Sequence, residues 1–277
     1  MSSRGIISSR MELLKLVRKK SFLSEMLYTV LNIALAVAVL VIIRTTGSVP
    51  LAILLVTLSK WRVMAVRPRY WWANLQSNIV DFIVSVVVVL HMYAINAHTV
   101  IDDSSKVALL WGVVVSYIVW LLVIKPRSKR SYVALQAGIA MFVGMSALFV
   151  TAYNWPVSIV VMFAWLIGYA SARHALSAYD DETHGFFLSL VYGLVIAEIS
   201  WVAYHWAIAY PLPGLSAIMV PQVAIITTLV SFLAFKCYDS FYKHSKIRTS
   251  DVLLPLLFTV SVIVVLLTVF NRVGTAL

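Results

Sequence analysis

The chain has 277 residues, of which 62% are hydrophobic and only 12% charged, with a formal net charge of +11. A soluble domain carries roughly 45–50% apolar and about 25% charged residues, so this composition excludes a water-soluble globule, whose core would lack the polar surface to cover it. A lipid bilayer is the solvent that suits it, and the single cysteine, Cys237, excludes an internal disulfide framework.

The expected fold is an all-α polytopic integral membrane bundle of about nine transmembrane helices, N-terminus inside and C-terminus outside. Residues 1–22 read as a basic amphipathic segment. Ile7, Met11, Leu14 and Val17 fall near one helical face with cations around them. That pattern fits a helix on the inner leaflet drawn to anionic lipid, and equally a basic orientation signal with no binding role. Residues 23–277 read as one transmembrane bundle. The first apolar run, Leu31 to Ile43, is followed by Arg44 without a small-x-small cleavage pattern, so it is a retained span over about 24–43.

The second span, 49–66, is short. Its purely apolar run covers only Pro50 to Leu58, and it crosses the bilayer only if Lys60 and Arg62 snorkel to the headgroups. Arg67, Pro68, Arg69, Tyr70, Trp71 and Trp72 follow, the mix of arginines and amphipathic aromatics found at a membrane interface. Further apolar stretches of about 20 residues lie at 77–95, 106–124, 132–152, 155–173, 185–210, 214–236 and 252–271.

With nine spans, nineteen of the 22 Lys and Arg residues share the side of the N-terminus, and only Arg44, Lys106 and Arg272 fall on the other. The positive-inside rule puts that basic side in the cytoplasm, as in a bacterial-type cytoplasmic membrane. Charge distributed in this way reports topology, so the expected partners are lipid, with anionic lipid at the inner face, and a small solute, and not nucleic acid. Two inner turns share a pattern. Trp61, Arg67-Pro68-Arg69, Gln76, Ile79 and Phe82 match Trp120, Lys125-Pro126-Arg127, Gln136, Ile139 and Phe142 in order. Hairpins 50–96 and 109–152 are therefore a candidate repeat of the kind found in transporters, although basic inner turns alone produce much of the match.

The seventh span carries an isolated acid. At about 100° per residue, His184, Val191, Glu198 and His205 fall in one narrow arc with Trp201 at its flank. A carboxylate near the midplane is costly if ionised and lipid-facing, so Glu198 is expected to turn into the bundle. Gln222, Thr227, Thr228 and Ser231 of the next span are its expected partners. An acid and imidazoles along one face have the make-up of a proton relay; a protonated Glu that merely bonds a neighbouring helix is the structural alternative. Pro221 is expected to kink the eighth span beside Gln222, and the short 208–213 turn makes the seventh and eighth spans neighbours.

The inner loop from Arg173 to His184 gathers His174, Asp180, Asp181 and Glu182. Such carboxylates hold a divalent metal on a lipid diphosphate, but their spacing matches no ligand pattern, and acids ahead of a helix also cap it. Asp81, just inside the third span, is expected to pair with Arg67 or Arg69. Asp102 and Asp103 read as a solvated turn. Lys60, six residues, then Arg67-Pro68 resemble the first motif of the type 2 phosphatidic acid phosphatase family. That family also needs a Pro-Ser-Gly-His block and a Ser-Arg followed by a His and an Asp. Neither is present, so the resemblance covers nine residues and implies no activity. There is no phosphate loop, dinucleotide turn, His-Glu-x-x-His or cysteine pair, so no metal, cofactor or catalytic residue is assigned.

Three functions stand as expectations. The first is a small-solute permease or channel-like transporter, proton-coupled through Glu198, with His205 as outer relay and Gln222 as a binding contact. The second is an intramembrane enzyme acting on a lipid-linked substrate through the 173–184 loop. The third is a partner-binding membrane subunit without chemistry of its own.

Overall fold

The computed structural model describes residues 3–276 except 64, 100, 153, 180, 181, 207, 213, 214 and 271–274. Among the described residues, eight long apolar helices and one short one form an all-α polytopic bundle. Helix α1 runs unbroken from Ser3 to Thr46, because no Pro or Gly interrupts it after Gly5. The basic segment therefore continues the first apolar helix. Gly47, at φ 64°, turns the chain, and the Ser48 hydroxyl caps helix α2, Val49–Ser59.

Helix α2 departs from the expected 49–66. Its 11 residues rise only about 16 Å, half of a hydrocarbon layer roughly 30 Å thick. The chain then reaches helix α3, Trp71–Ala97, through short 3-10 turns at Trp61–Val63 and Pro68–Tyr70. Lys60 does not snorkel to the surface; it turns inward, and the helix ends where it does so. Helix α4, Asp103–Val119, continues through a π-helical turn at Trp120–Ile124. Helices α5, Arg130–Thr151, α6, Val157–Leu176, and α7, Gly185–Tyr204, follow.

After α7 the chain leaves the helical path expected to reach residue 210. It forms an antiparallel hairpin of β1, Ile208–Leu212, and β2, Leu215–Pro221, with Tyr210 opposite Val220, and a short β3, Thr275–Ala276, pairs on β1. Pro211 and Pro213 explain the break, since neither donates a helix hydrogen bond. Pro221 stands immediately ahead of helix α8, Gln222–His244, where a missing N–H is harmless. It therefore starts the helix and does not kink it, which corrects the broken-helix expectation. Helix α9, Thr249–Thr268, closes the bundle.

Two buried clusters hold these elements. One, with Val39, Ile43, Val56, Met92 and Leu110, joins α1 to α4; the other, with Met141, Phe149, Val160, Ile196 and Val223, joins α5 to α8. Helices α6 and α7 are closest. A Cβ built on Gly168 would stand 2.8 Å from the Ile196 Cβ, and one on Gly193 would stand 3.0 Å from the Trp165 carbonyl oxygen. Small residues permit this approach. Outward faces carry Leu, Val and Phe, as lipid contact requires, most plainly on α9 at Leu254, Leu257 and Phe258. The basic loops gather at one end of the bundle, and the β hairpin lies at the other.

Candidate functional site

Helix α7 does place His184, Val191, Glu198, Trp201 and His205 on one side, but that side is exposed. Glu198 is exposed, which corrects the expectation that it is buried in the bundle. Its expected partners are engaged elsewhere. Gln222 Nε2 donates to Tyr210 Oη at 2.7 Å and to the Leu266 carbonyl at 2.9 Å. Thr227, Thr228 and Ser231 donate to carbonyls of their own helix. The cause is legible in α7 itself. Gly185, Ser189, Gly193, Ala197 and Ser200 form a small-residue stripe, and these are buried. Close packing on α6 selects that stripe, which leaves the bulky and charged side outward. Glu198→Leu is accordingly expected to leave thermal stability within about 0.5 kcal/mol of the parent; a large loss on melting in detergent would contradict this placement.

Asp81 carries the most elaborate polar arrangement. It lies ten residues, about 15 Å of helix rise, inside the start of α3 and is buried. Lys60 Nζ donates to its Oδ2, Lys125 Nζ reaches the same oxygen at 2.7 Å, and Trp120 Nε1 donates to Oδ1 at 3.0 Å. Asp81 thus pairs with Lys60 and Lys125, not with Arg67 or Arg69. Behind it, Tyr117 Oη donates to Ser85 Oγ at 3.0 Å, and Ser85 Oγ donates to the Asp81 carbonyl at 2.7 Å. The π-helical turn that contains Trp120 leads directly to Lys125. Gln136 Nε2 caps that turn, donating to the carbonyls of Ile124 at 2.7 Å and Arg127 at 2.9 Å, while its Oε1 meets His174 Nε2 at 2.7 Å. These bonds join α2 through α6. Each charged atom of the node has a partner, so it acts as a joint.

The 173–184 loop does not assemble a catalytic group among its described residues. Arg173 lies against Gly185, its Nη1 2.9 Å from where a Cβ would stand, and His174 is held by Gln136. Glu182 accepts from Tyr238 Oη and from the His184 backbone N–H, the latter at 2.6 Å. The Tyr238 hydroxyl holds its carboxyl below the ordinary glutamate range. Asp180 and Asp181 lie outside the described residues. Among the described residues no group of three His, Cys, Asp or Glu side chains is placed to hold a metal.

A partly open cavity of about 780 Å³ is bounded by α5, α6, α7 and α8. It exists because α8 is fully buried only at its ends, at Gln222, Val223, Ala224 and Thr227 near the hairpin and at Ser240 near the basic end. Between them α8 is mostly half-buried, tied to α7 by the Tyr192–Ser231 hydroxyl pair, and the exposed Leu188, Val191, Val195 and Phe232 border the cavity. The walls are mostly apolar: Ala134, Gly138, Ala172 and Ala175 leave the space, Ile139 and Phe142 line it, and the hydroxyls of Tyr192, Thr228 and Ser231 are among the few polar groups. At the basic end stand Lys236, Tyr179 and Tyr238. Tyr179 meets the rings of Tyr238 and Tyr242 edge-on at 4.8 and 4.7 Å. The Arg130 guanidinium lies 4.4 Å over the Tyr179 ring, and Asp239 binds Arg130 and Lys243 at 3.5 and 2.6 Å. The sequence reading missed this floor. Its signal was present in Tyr238/Tyr242 and Asp239/Lys243, both spaced i, i+4.

A second cavity, about 260 Å³, lies nearer the hairpin and is lined by Ile199, Ala203, Gln222 and Ile226. Between the two stand the Tyr192–Ser231 hydroxyl pair, 2.7 Å apart, and the buried layer containing Ile196, Val223 and Ala224. Comparison of the chain with known protein families, curated proteins and solved structures finds no match.

Proposed function

We propose that this protein is a membrane carrier for a single-chain amphiphile with an anionic head, taken from the leaflet at the basic end through the gap between α7 and α8. The observation that supports it most is the larger cavity. Its volume, about 780 Å³, lies within the roughly 300–1,000 Å³ of small-molecule sites. Walls of Ala, Leu, Ile, Val and Phe suit a hydrocarbon chain. A small polar solute would lose its hydrogen bonds to water there without replacement. This reading keeps the expectation of transport, changes its cargo and assigns no step to Glu198. Lys236 receives the head, the rim admits the chain sideways, and the second cavity offers a continuation toward the hairpin end. The basic end is the cytoplasmic one here, by its excess of Lys and Arg.

Gly138 provides the test. It lines the cavity, and a Cβ added there meets nothing within 4 Å, so a larger side chain enters empty space. Gly138→Phe is expected to keep the parent melting temperature while weakening saturable binding of a fluorescent fatty-acid analogue more than tenfold. Undiminished binding by the filled variant contradicts the proposal.

A second reading rests on the outward Glu198. An acid with the exposed Trp201, His205 and Trp206 around it has no rationale in lipid contact alone. It favours a membrane partner offering a cation or N–H at that depth. A photo-crosslinker placed at Leu194 should then yield a protein adduct that Glu198→Leu abolishes; lipid adducts alone would reject this reading.

A further inference from the structure

The few polar groups that line the larger cavity are sorted by what they can offer a ligand. Toward the basic end stands Lys236, half-buried and without an ion pair among the described residues; its Nζ lies 5.7 Å over the Phe232 ring. An ammonium only donates. Five and eight residues earlier on α8, about 7.5 and 12 Å of helix rise, stand Ser231 and Thr228, and Tyr192 of α7 meets Ser231. All three belong to half-buried residues of the cavity wall.

A hydroxyl has a single hydrogen, and each of these is spent within the protein. Thr228 Oγ1 donates to the Ala224 carbonyl at 2.6 Å, and Ser231 Oγ donates to the Thr227 carbonyl at 2.7 Å. Ser231 has no hydrogen left for Tyr192, so Tyr192 Oη is the donor in the 2.7 Å contact between them. What remains for a ligand is lone pairs. At this level the cavity accepts hydrogen bonds and has none to give. A plain methylene chain laid there leaves those lone pairs without a donor, and a ketone would set lone pair against lone pair.

We infer that the carried amphiphile bears a hydroxyl along its length. Its anionic head lies at Lys236, its hydroxyl donates to the Tyr192, Ser231 and Thr228 cluster within about 12 Å of that head, and one hydrocarbon chain fills the apolar space. This inference rests on the carrier reading and names its substrate class. The hydroxyl has two chemical sources: the glycerol of a lysophospholipid, or a hydroxylated acyl chain.

Two matched pairs separate these sources, each probe displacing a fluorescent fatty-acid analogue from the full-length protein in nanodiscs. Oleoyl lysophosphatidic acid is set against its deoxy analogue built on propanediol, and ricinoleate against oleate. The parent is expected to prefer the hydroxylated member of at least one pair three- to tenfold, the size of one hydrogen bond. The pair that shows the preference identifies the source. The triple variant Tyr192→Phe, Thr228→Val, Ser231→Ala should erase that ratio and leave oleate affinity unchanged, which also reports an intact fold. Ser231→Ala alone releases the Tyr192 hydrogen to the cavity. The ketone made from the preferred alcohol should then bind at least threefold tighter than it binds the parent, and this arm decides if the triple variant loses oleate. Equal affinities within both pairs, a ratio that survives the triple variant, or a ketone that gains nothing each overturn the hydroxyl assignment, while saturable oleate binding keeps the carrier reading. If no probe binds saturably to the parent, the carrier reading itself fails.

Discussion

Asp81→Leu is expected to destabilise the protein by about 3–5 kcal/mol, the cost of removing one partner from a buried ion pair. The substitution strands Lys60, whose side chain is 11% exposed, and leaves Lys125 and the Trp120 indole without their common acceptor. It should appear as early aggregation in a thermal series followed by size-exclusion chromatography in detergent. The triple variant Lys60→Met, Asp81→Leu, Lys125→Met removes all three charges together. Replacement of a whole buried ionic group by apolar residues is often neutral or stabilising, so this variant should recover most of the lost stability. A single variant as stable as the parent would show that the node does not join the helices.

Gly168→Leu is the second large effect. The first added carbon already stands 2.8 Å from Ile196 Cβ and 3.2 Å from the Gly193 backbone, and neither neighbour has a flexible end that can swing away. Helices α6 and α7 must separate, at about 1–3 kcal/mol or more for an overpacked core. Gly138→Ala is the matched control, since its Cβ meets nothing within 4 Å; with alanine's better helix propensity it should cost nothing. Equal melting temperatures for Gly168→Leu and Gly138→Ala would contradict the close α6–α7 contact.

Much of the architecture was legible because composition and hydropathy are collective signals. Eight long apolar helices stand where runs of about 20 apolar residues called for them. The misreadings came from single residues whose effect depends on neighbours. Lys60 was read as a snorkelling cation because charge next to an apolar run usually seeks water; Asp81, 21 positions on, offered a buried partner instead. Pro221 looked internal to a span because hydropathy does not register the hairpin that stands before it. Glu198 was turned inward on the cost of exposing an acid, although the small stripe from Gly185 to Ser200 had already determined the buried face of α7. Periodicity correctly grouped His184, Val191, Glu198 and His205, but it carries no information about which way a group faces. The cavity was not legible at all: it lies among four helices, and a void has no residue of its own.

The most direct measurement uses a diazirine-bearing palmitic acid photolysed with the protein in nanodiscs, with adducts mapped by mass spectrometry and oleate as competitor. Oleate-sensitive adducts are expected on the cavity-lining segments Leu135–Val143, Leu188–Val195 and Thr228–Phe235. Adducts spread over lipid-facing surfaces such as Leu254, Leu257 and Phe258 of α9, and indifferent to oleate, would mean that the chain only touches the outside of the bundle and that the cavity carries no amphiphile.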